Sequence, residues 1–136
     1  MTEPDAVAPR GKTAQAISNS VVRLMREYTG RGPTQAHTTI NHNLVIVVLR
    51  DTLLKAEKSL VSDGQAEAVM QMRRRFQETM KHELIAAVTA HTGRVVEAFL
   101  SDNAIDPDIA VEIFILRPRE LEPEGLSIAP SAPREA

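Results

Sequence analysis

The chain has 136 residues, a formal charge of −2, 43% hydrophobic and 25% charged residues, three Phe, one Tyr, and neither Trp nor Cys. That length supports one domain with a single core, and the composition is that of a folded globular protein. The missing cysteines exclude disulfides, thiolate metal sites and a cysteine nucleophile; the few aromatic side chains leave little on which bases could stack, so nucleic acid is an unlikely partner.

Charge is unevenly spread. Residues 10 to 50 hold six Lys/Arg against Glu27 alone, and the rest of the chain is acidic, a polarity that favours charge-steered association between copies or with a partner. The longest apolar run, Leu44 to Leu49, is far below the roughly 20 residues a spanning helix needs, so no direct membrane insertion is expected. With no charged-then-apolar leader, the expected location is the cytoplasm. Six of the eight prolines, Pro4, Pro9, Pro118, Pro123, Pro130 and Pro133, fall near the ends. Residues 1–11 and 118–136 are therefore expected to be disordered tails around one domain at 12–117.

Within the domain the hydrophobic period changes from element to element. Ala14, Ile17, Val21, Leu24 and Tyr28 recur every three or four residues and predict a helix from Thr13 to Thr29. Gly30 is placed to end it as a left-handed cap, and Pro33 forces Gly32 into an extended conformation that launches a strand over 34–40. Asn41, His42 and Asn43 make the turn, and "LVIVVL" at 44–49 is apolar on both faces, as in a central strand. Asp51 to Val61 reads as a short helix. Ser62 to Gln65 then matches a capping box that would open a helix of about 27 residues and roughly 40 Å, closed by Gly93. Its expected apolar stripe is Val69, Met72, Phe76, Met80, Leu84 and Ala87/Val88, more than a small sheet can cover, which predicts a homodimer. Arg94 to Ser101 and Ile109 to Leu116 complete the chain as strands, the latter central. The fold class is α+β: a four-stranded, mainly antiparallel sheet with helices packed on one face, in the order α-β-β-α-α-β-β.

Chemistry is harder to find. The loop Gly30-Arg31-Gly32-Pro33 resembles a phosphate cradle, but it follows a helix and so lies at the negative end of the helix dipole. Gly30, Gly32 and Pro33 are better read as structural, leaving the Arg31 guanidinium as the one group there able to bind a carboxylate or small oxyanion, with help from one of Arg73, Arg74 and Arg75. Those three arginines span about 200° of a helix and cannot all face one way; an intersubunit ion pair suits them better than nucleic acid. His37, His42, His82 and His91 lack metal-ligand spacing, and there is no nucleophile elbow, so no catalytic residue, metal or cofactor is assigned. Asp102, Asn103, Asp106 and Asp108 form only half of a calcium loop and read as a solvated hairpin.

"YTGRGP", "LVIVVLRDTLLKAEKSLV", "HTGRVV" and "SDNAIDPDIAVEIFIL" together resemble a small bacterial family long described as a domain of unknown function and now labelled MpsC, for a Na+-translocating membrane-potential-generating system, over residues 12–117. Gly30, Arg31, Gly32 and Pro33 match its Gly-(Arg/Lys)-Gly-Pro. Its Leu-Thr-Pro-Ala-Glu-Lys helix start is here Leu53, Leu54, Lys55, Ala56, Glu57 and Lys58, without the Thr-Pro. The resemblance implies a protein acting with a membrane cation or inorganic-carbon uptake system, with a membrane transport subunit as a partner. Two readings remain beside a non-enzymatic, dimeric accessory module: a small-anion enzyme using Arg31, with Glu57 or a histidine as base, and a nucleic-acid-binding regulator.

Overall fold

The computed structural model describes residues 7–119; of the tails expected at 1–11 and 118–136, residues 1–6 and 120–136 lie outside them. Seven elements follow one another: α1 (Val7–Thr29), β1 (Gln35–Asn41), β2 (Leu44–Arg50), α2 (Lys55–Ser62), α3 (Ala66–Thr92), β3 (Val96–Ala104) and β4 (Ile109–Leu116). The strands form one antiparallel sheet in the order β1-β2-β4-β3, with the helices on one face, so the fold is α+β in the expected element order. β2 and β4 are the central pair. Each carries apolar residues at almost every position because neither of its edges nor its helix-side face meets water.

The core lies between the sheet and the two long helices. Ile17, Val21, Leu24 and Met25 of α1 and Met80, Leu84 and Val88 of α3 meet Val45, Val47, Leu49, Ala110, Phe114 and Leu116 from the sheet. Two polar contacts fix how α1 sits. Ser18 and Thr38 share a buried hydrogen bond of 2.7 Å between α1 and β1, and Ser20 pairs with His91 of α3 at 2.9 Å.

Several boundaries differ from those expected. α1 begins at Val7 and not Thr13, because Pro9 falls in the first turn, where its missing amide would have had no helical acceptor. The Ser62–Gln65 capping box does not form. Ser62 ends α2, Gly64 turns the chain at φ 78°, and Gln65 is the residue before α3, with no side-chain cap. α2 starts at Lys55, since Asp51 adopts φ 59°, residues 52–54 have no regular structure and Leu54 is extended. β3 reaches Ala104, taking Asp102 and Asn103 out of the loop and into the sheet.

The buried stripe of α3 is Val69, Arg73, Gln77, Met80, Leu84 and Val88. Arg73 and Gln77 occupy the places expected for Met72 and Phe76. The predicted surplus of apolar helix is accordingly absent: α1 and α2 flank α3, and among its described residues the one large apolar side chain left exposed is Met72. The surplus lies on the other face of the sheet, which no helix among the described residues covers.

The Gly30–Pro33 loop is a helix stop. Gly30 has φ 84° and donates its amide to the Arg26 carbonyl at 2.8 Å. Gly32 lets the loop press on α1, since a Cβ there would stand 3.0 Å from the Val22 carbonyl oxygen. Open space surrounds the Cβ position of Gly30, so Gly30→Ala tests backbone strain alone. Urea titration is expected to show a loss of about 1 kcal/mol or more, and an unchanged midpoint would contradict the left-handed cap.

Candidate functional site

The polar chemistry of the chain converges where α3, the β2–α2 loop and β3 meet. Burying Arg73 on the core side of α3 requires partners for five N–H donors, and the surrounding elements supply all of them. Glu57, in the first turn of α2, accepts from Nε and Nη2 at 3.1 and 2.9 Å; Thr52 accepts on its hydroxyl and its carbonyl, both at 2.9 Å; Asn103 of β3 accepts on Oδ1 at 3.0 Å. Glu57 also accepts the Leu54 amide at 2.8 Å. It thus caps α2 without the Thr-Pro start.

Asp108 anchors the same loop from the β3–β4 turn. Its carboxylate accepts the Thr52 amide at 3.0 Å, the Thr52 hydroxyl at 2.8 Å and the Leu53 amide at 2.9 Å. Partial burial raises its pKa, but the Leu53 and Thr52 donors and the charge of Arg73 outweigh it and leave the carboxyl below its ordinary 3.8. Asp108 therefore supports the fold above that pH and ceases to as the pH falls through its lowered pKa. The solvated hairpin expected at Asp102, Asn103, Asp106 and Asp108 is corrected in part: Asp102 and Asn103 belong to β3, and Asp108 is spent on the Thr52 and Leu53 amides and the Thr52 hydroxyl.

Beside this network stands an unpartnered group. Alternation along β4 turns Ala110, Glu112, Phe114 and Leu116 toward the helices, and Glu112 is fully buried between Val47 of β2 and Ser101 of β3. Neither carboxylate oxygen has a hydrogen-bond partner, and Ser101 Oγ and Asn103 Nδ2 lack one as well. Burial pushes the Glu112 carboxyl up to about 7, against the opposing influence of Ser101 and Arg73.

The expected site residues are divided by the fold. Arg73 is structural, with every donor committed. Arg74 and Arg75 face solvent, so the three arginines make no cluster. Arg31 hydrogen-bonds the Asp51 carbonyl at 3.0 Å and pairs with the Asp51 carboxylate at 2.8 Å, both side chains about two-fifths exposed. Arg31 and Arg73 do line one cleft, together with Pro33, Thr52, Glu57 and Phe76, but its interior of about 30 Å³ has room for little more than a water. Among the described residues no three His, Asp or Glu side chains converge as a metal site.

Thr52, Glu57 as a cap, Asp108 and Glu112 escaped the sequence reading. For Glu112 a signal existed, because strand alternation puts it on the face of Ala110 and Phe114 whatever its charge.

A helix-covered antiparallel sheet stitched by two buried guanidiniums, Arg73 at one end and Arg94, which donates to the His42 and Arg117 carbonyls and to Asn43, at the other, with no helix among the described residues long and apolar enough to cross a membrane, defines a compact α+β module. The family model described as "Na+-translocating membrane potential-generating system (MpsC)" matches residues 9–118, and the chain belongs to that family. No curated protein and no solved structure matches it.

The buried Glu112 gives stability a definite pH dependence. Between its ordinary 4.5 and about 7 the folded chain holds a proton that the unfolded chain has released, so stability falls as pH rises through this window and stays low above it. Glu112→Gln is expected to raise stability at pH 8 by roughly 2–4 kcal/mol and to change it little at pH 4.5. Urea denaturation at the two pH values checks this, and equal effects at both would contradict it.

Proposed function

We propose that the chain is a non-enzymatic, cytoplasmic accessory module, dimeric in its working form, that associates with a membrane cation or inorganic-carbon uptake system. The observation that carries this reading is where the chemistry is spent. Arg73, Glu57, Thr52 and Asp108 satisfy one another inside the fold, whereas the open face of the sheet is largely apolar, with Leu100 on it 54% exposed. A surface of that kind serves binding. The family name supports the membrane system, and no helix among the described residues is long and apolar enough to cross a membrane, which favours docking on a membrane protein.

The module is expected to sediment with native membrane vesicles and to be lost from them after mild proteolysis of the vesicle surface, while leaving protein-free liposomes unbound. Equal binding to liposomes, or none to native membranes, would overturn the reading.

The part-exposed Arg31–Asp51 ion pair supports a second reading, a small-anion site at the protein surface in which Arg31 leaves Asp51 to meet its ligand. Under it, Arg31→Glu abolishes binding of inorganic phosphate, while stability changes by about 0–1 kcal/mol, as for an exposed ion pair. Calorimetry that detects no phosphate binding to the wild-type chain removes this reading.

A further inference from the structure

The open face of the sheet is ordered into a four-by-four array by the strand registers. Its rows, read across β1, β2, β4 and β3, are Gln35-Arg50-Ile109-Ala104, His37-Val48-Val111-Asp102, Thr39-Ile46-Ile113-Leu100 and Asn41-Leu44-Ile115-Ala98. β4 is apolar throughout, β2 is apolar except for Arg50, β3 is apolar except for Asp102, and β1 is wholly polar. The apolar area is thus centred on β4 and not on the middle of the sheet. Leu100 on it is 54% exposed.

We infer that this face is the interface between two copies of the chain, packed about a two-fold axis that runs along β4. The array itself selects that axis. An isologous contact requires the surface to complement itself, and an axis parallel to β4 stacks β4 on β4 and each β2 on the partner's β3, row against row. Ile46 then meets Leu100, Leu44 meets Ala98, and polar β1 falls outside the contact. Arg50 comes to lie one row from Asp102 of the other copy, within reach of its long side chain, and both are exposed. Row against row, Arg50 faces Ala104 and Asp102 faces Val48, so each charge has its opposite in the adjacent row; an axis perpendicular to the strands would instead place Arg50 over Leu44 and Asp102 over Leu100, two strands and two rows apart, leaving both charges against apolar groups with no opposite charge in reach.

Three strands about 4.8 Å apart and four rows about 6.8 Å apart give roughly 400 Å² of projected area. Side-chain relief and a rim containing Arg50 and Asp102 add to this. The total approaches the roughly 600 Å² per partner at the low end of specific complexes, which sets the expected dissociation constant in the micromolar range.

The inference rests on the dimeric part of the proposed function and specifies the surface involved. Sedimentation velocity of the full chain across about 1–200 µM is expected to show a monomer–dimer equilibrium. Leu100→Lys, at an exposed position that cannot disturb the core, and Ile113→Lys should both abolish the dimer with the circular dichroism spectrum retained. Arg50→Glu should weaken dimerisation about tenfold, and Arg50→Glu/Asp102→Arg should restore it. A full chain that stays monomeric overturns the inference, whether residues 120–136 or a membrane protein covers the face; so does a dimer indifferent to Leu100→Lys. A monomer that still binds native vesicles would leave the accessory reading standing while this inference falls, and a dimer that ignores them would do the reverse.

Discussion

The structure turns on the burial of one charge. Arg73 points from α3 into the junction of helices, loop and sheet because the 3.6-residue period gives it no other direction once Val69, Met80 and Leu84 are in the core. A guanidinium there is tolerable only if every donor is met, and meeting them dictates the surroundings. Glu57 must start α2 at the right height, the β2–α2 loop must hold Thr52 so that it offers both oxygens, and β3 must be long enough to bring Asn103 alongside. Asp108 then holds the loop from the far side. A buried pair of this kind adds little net stability over an apolar replacement, but removing one member leaves the other uncompensated, at about 3–5 kcal/mol. Its value here is geometric: it ties α2 and the β2–α2 loop to a sheet they would otherwise barely touch.

The two faces of the sheet divide the remaining work. The helix-covered face holds the core and, at its centre, Glu112, whose burial without a partner works against the fold whenever the carboxyl is ionised. The open face carries no such burden and is more apolar than a water-facing surface needs to be.

What the sequence made legible follows from which signals are periodic. The helices, the strands, the central position of β2 and β4 and the Gly30 and Gly93 caps all came from hydrophobic spacing and from residues that tolerate left-handed backbone. The failures were polar. Ser62 to Gln65 has the letters of a capping box, but Gly64 turns the chain within it. Met72 and Phe76 were assigned to the buried stripe because an arginine and a glutamine are improbable core residues; only the partners of Arg73, 16 to 30 positions away in sequence, make its burial possible. The open sheet face was half visible, as strands apolar on both sides, yet without the strand registers its rows could not be assembled, and the excess was assigned to α3.

Amide hydrogen exchange at Thr52 and Leu53 tests most directly whether the guanidinium-centred network organises the fold. These amides sit in an irregular loop, where exchange is ordinarily fast, but both donate to Asp108, and the Thr52 side chain and carbonyl are held by Arg73. If the network is integral, they exchange as slowly as the amides of β2 and β4 and open only with global unfolding. Fast exchange at Thr52 and Leu53 beside a protected sheet would show that the network decorates the fold without holding it.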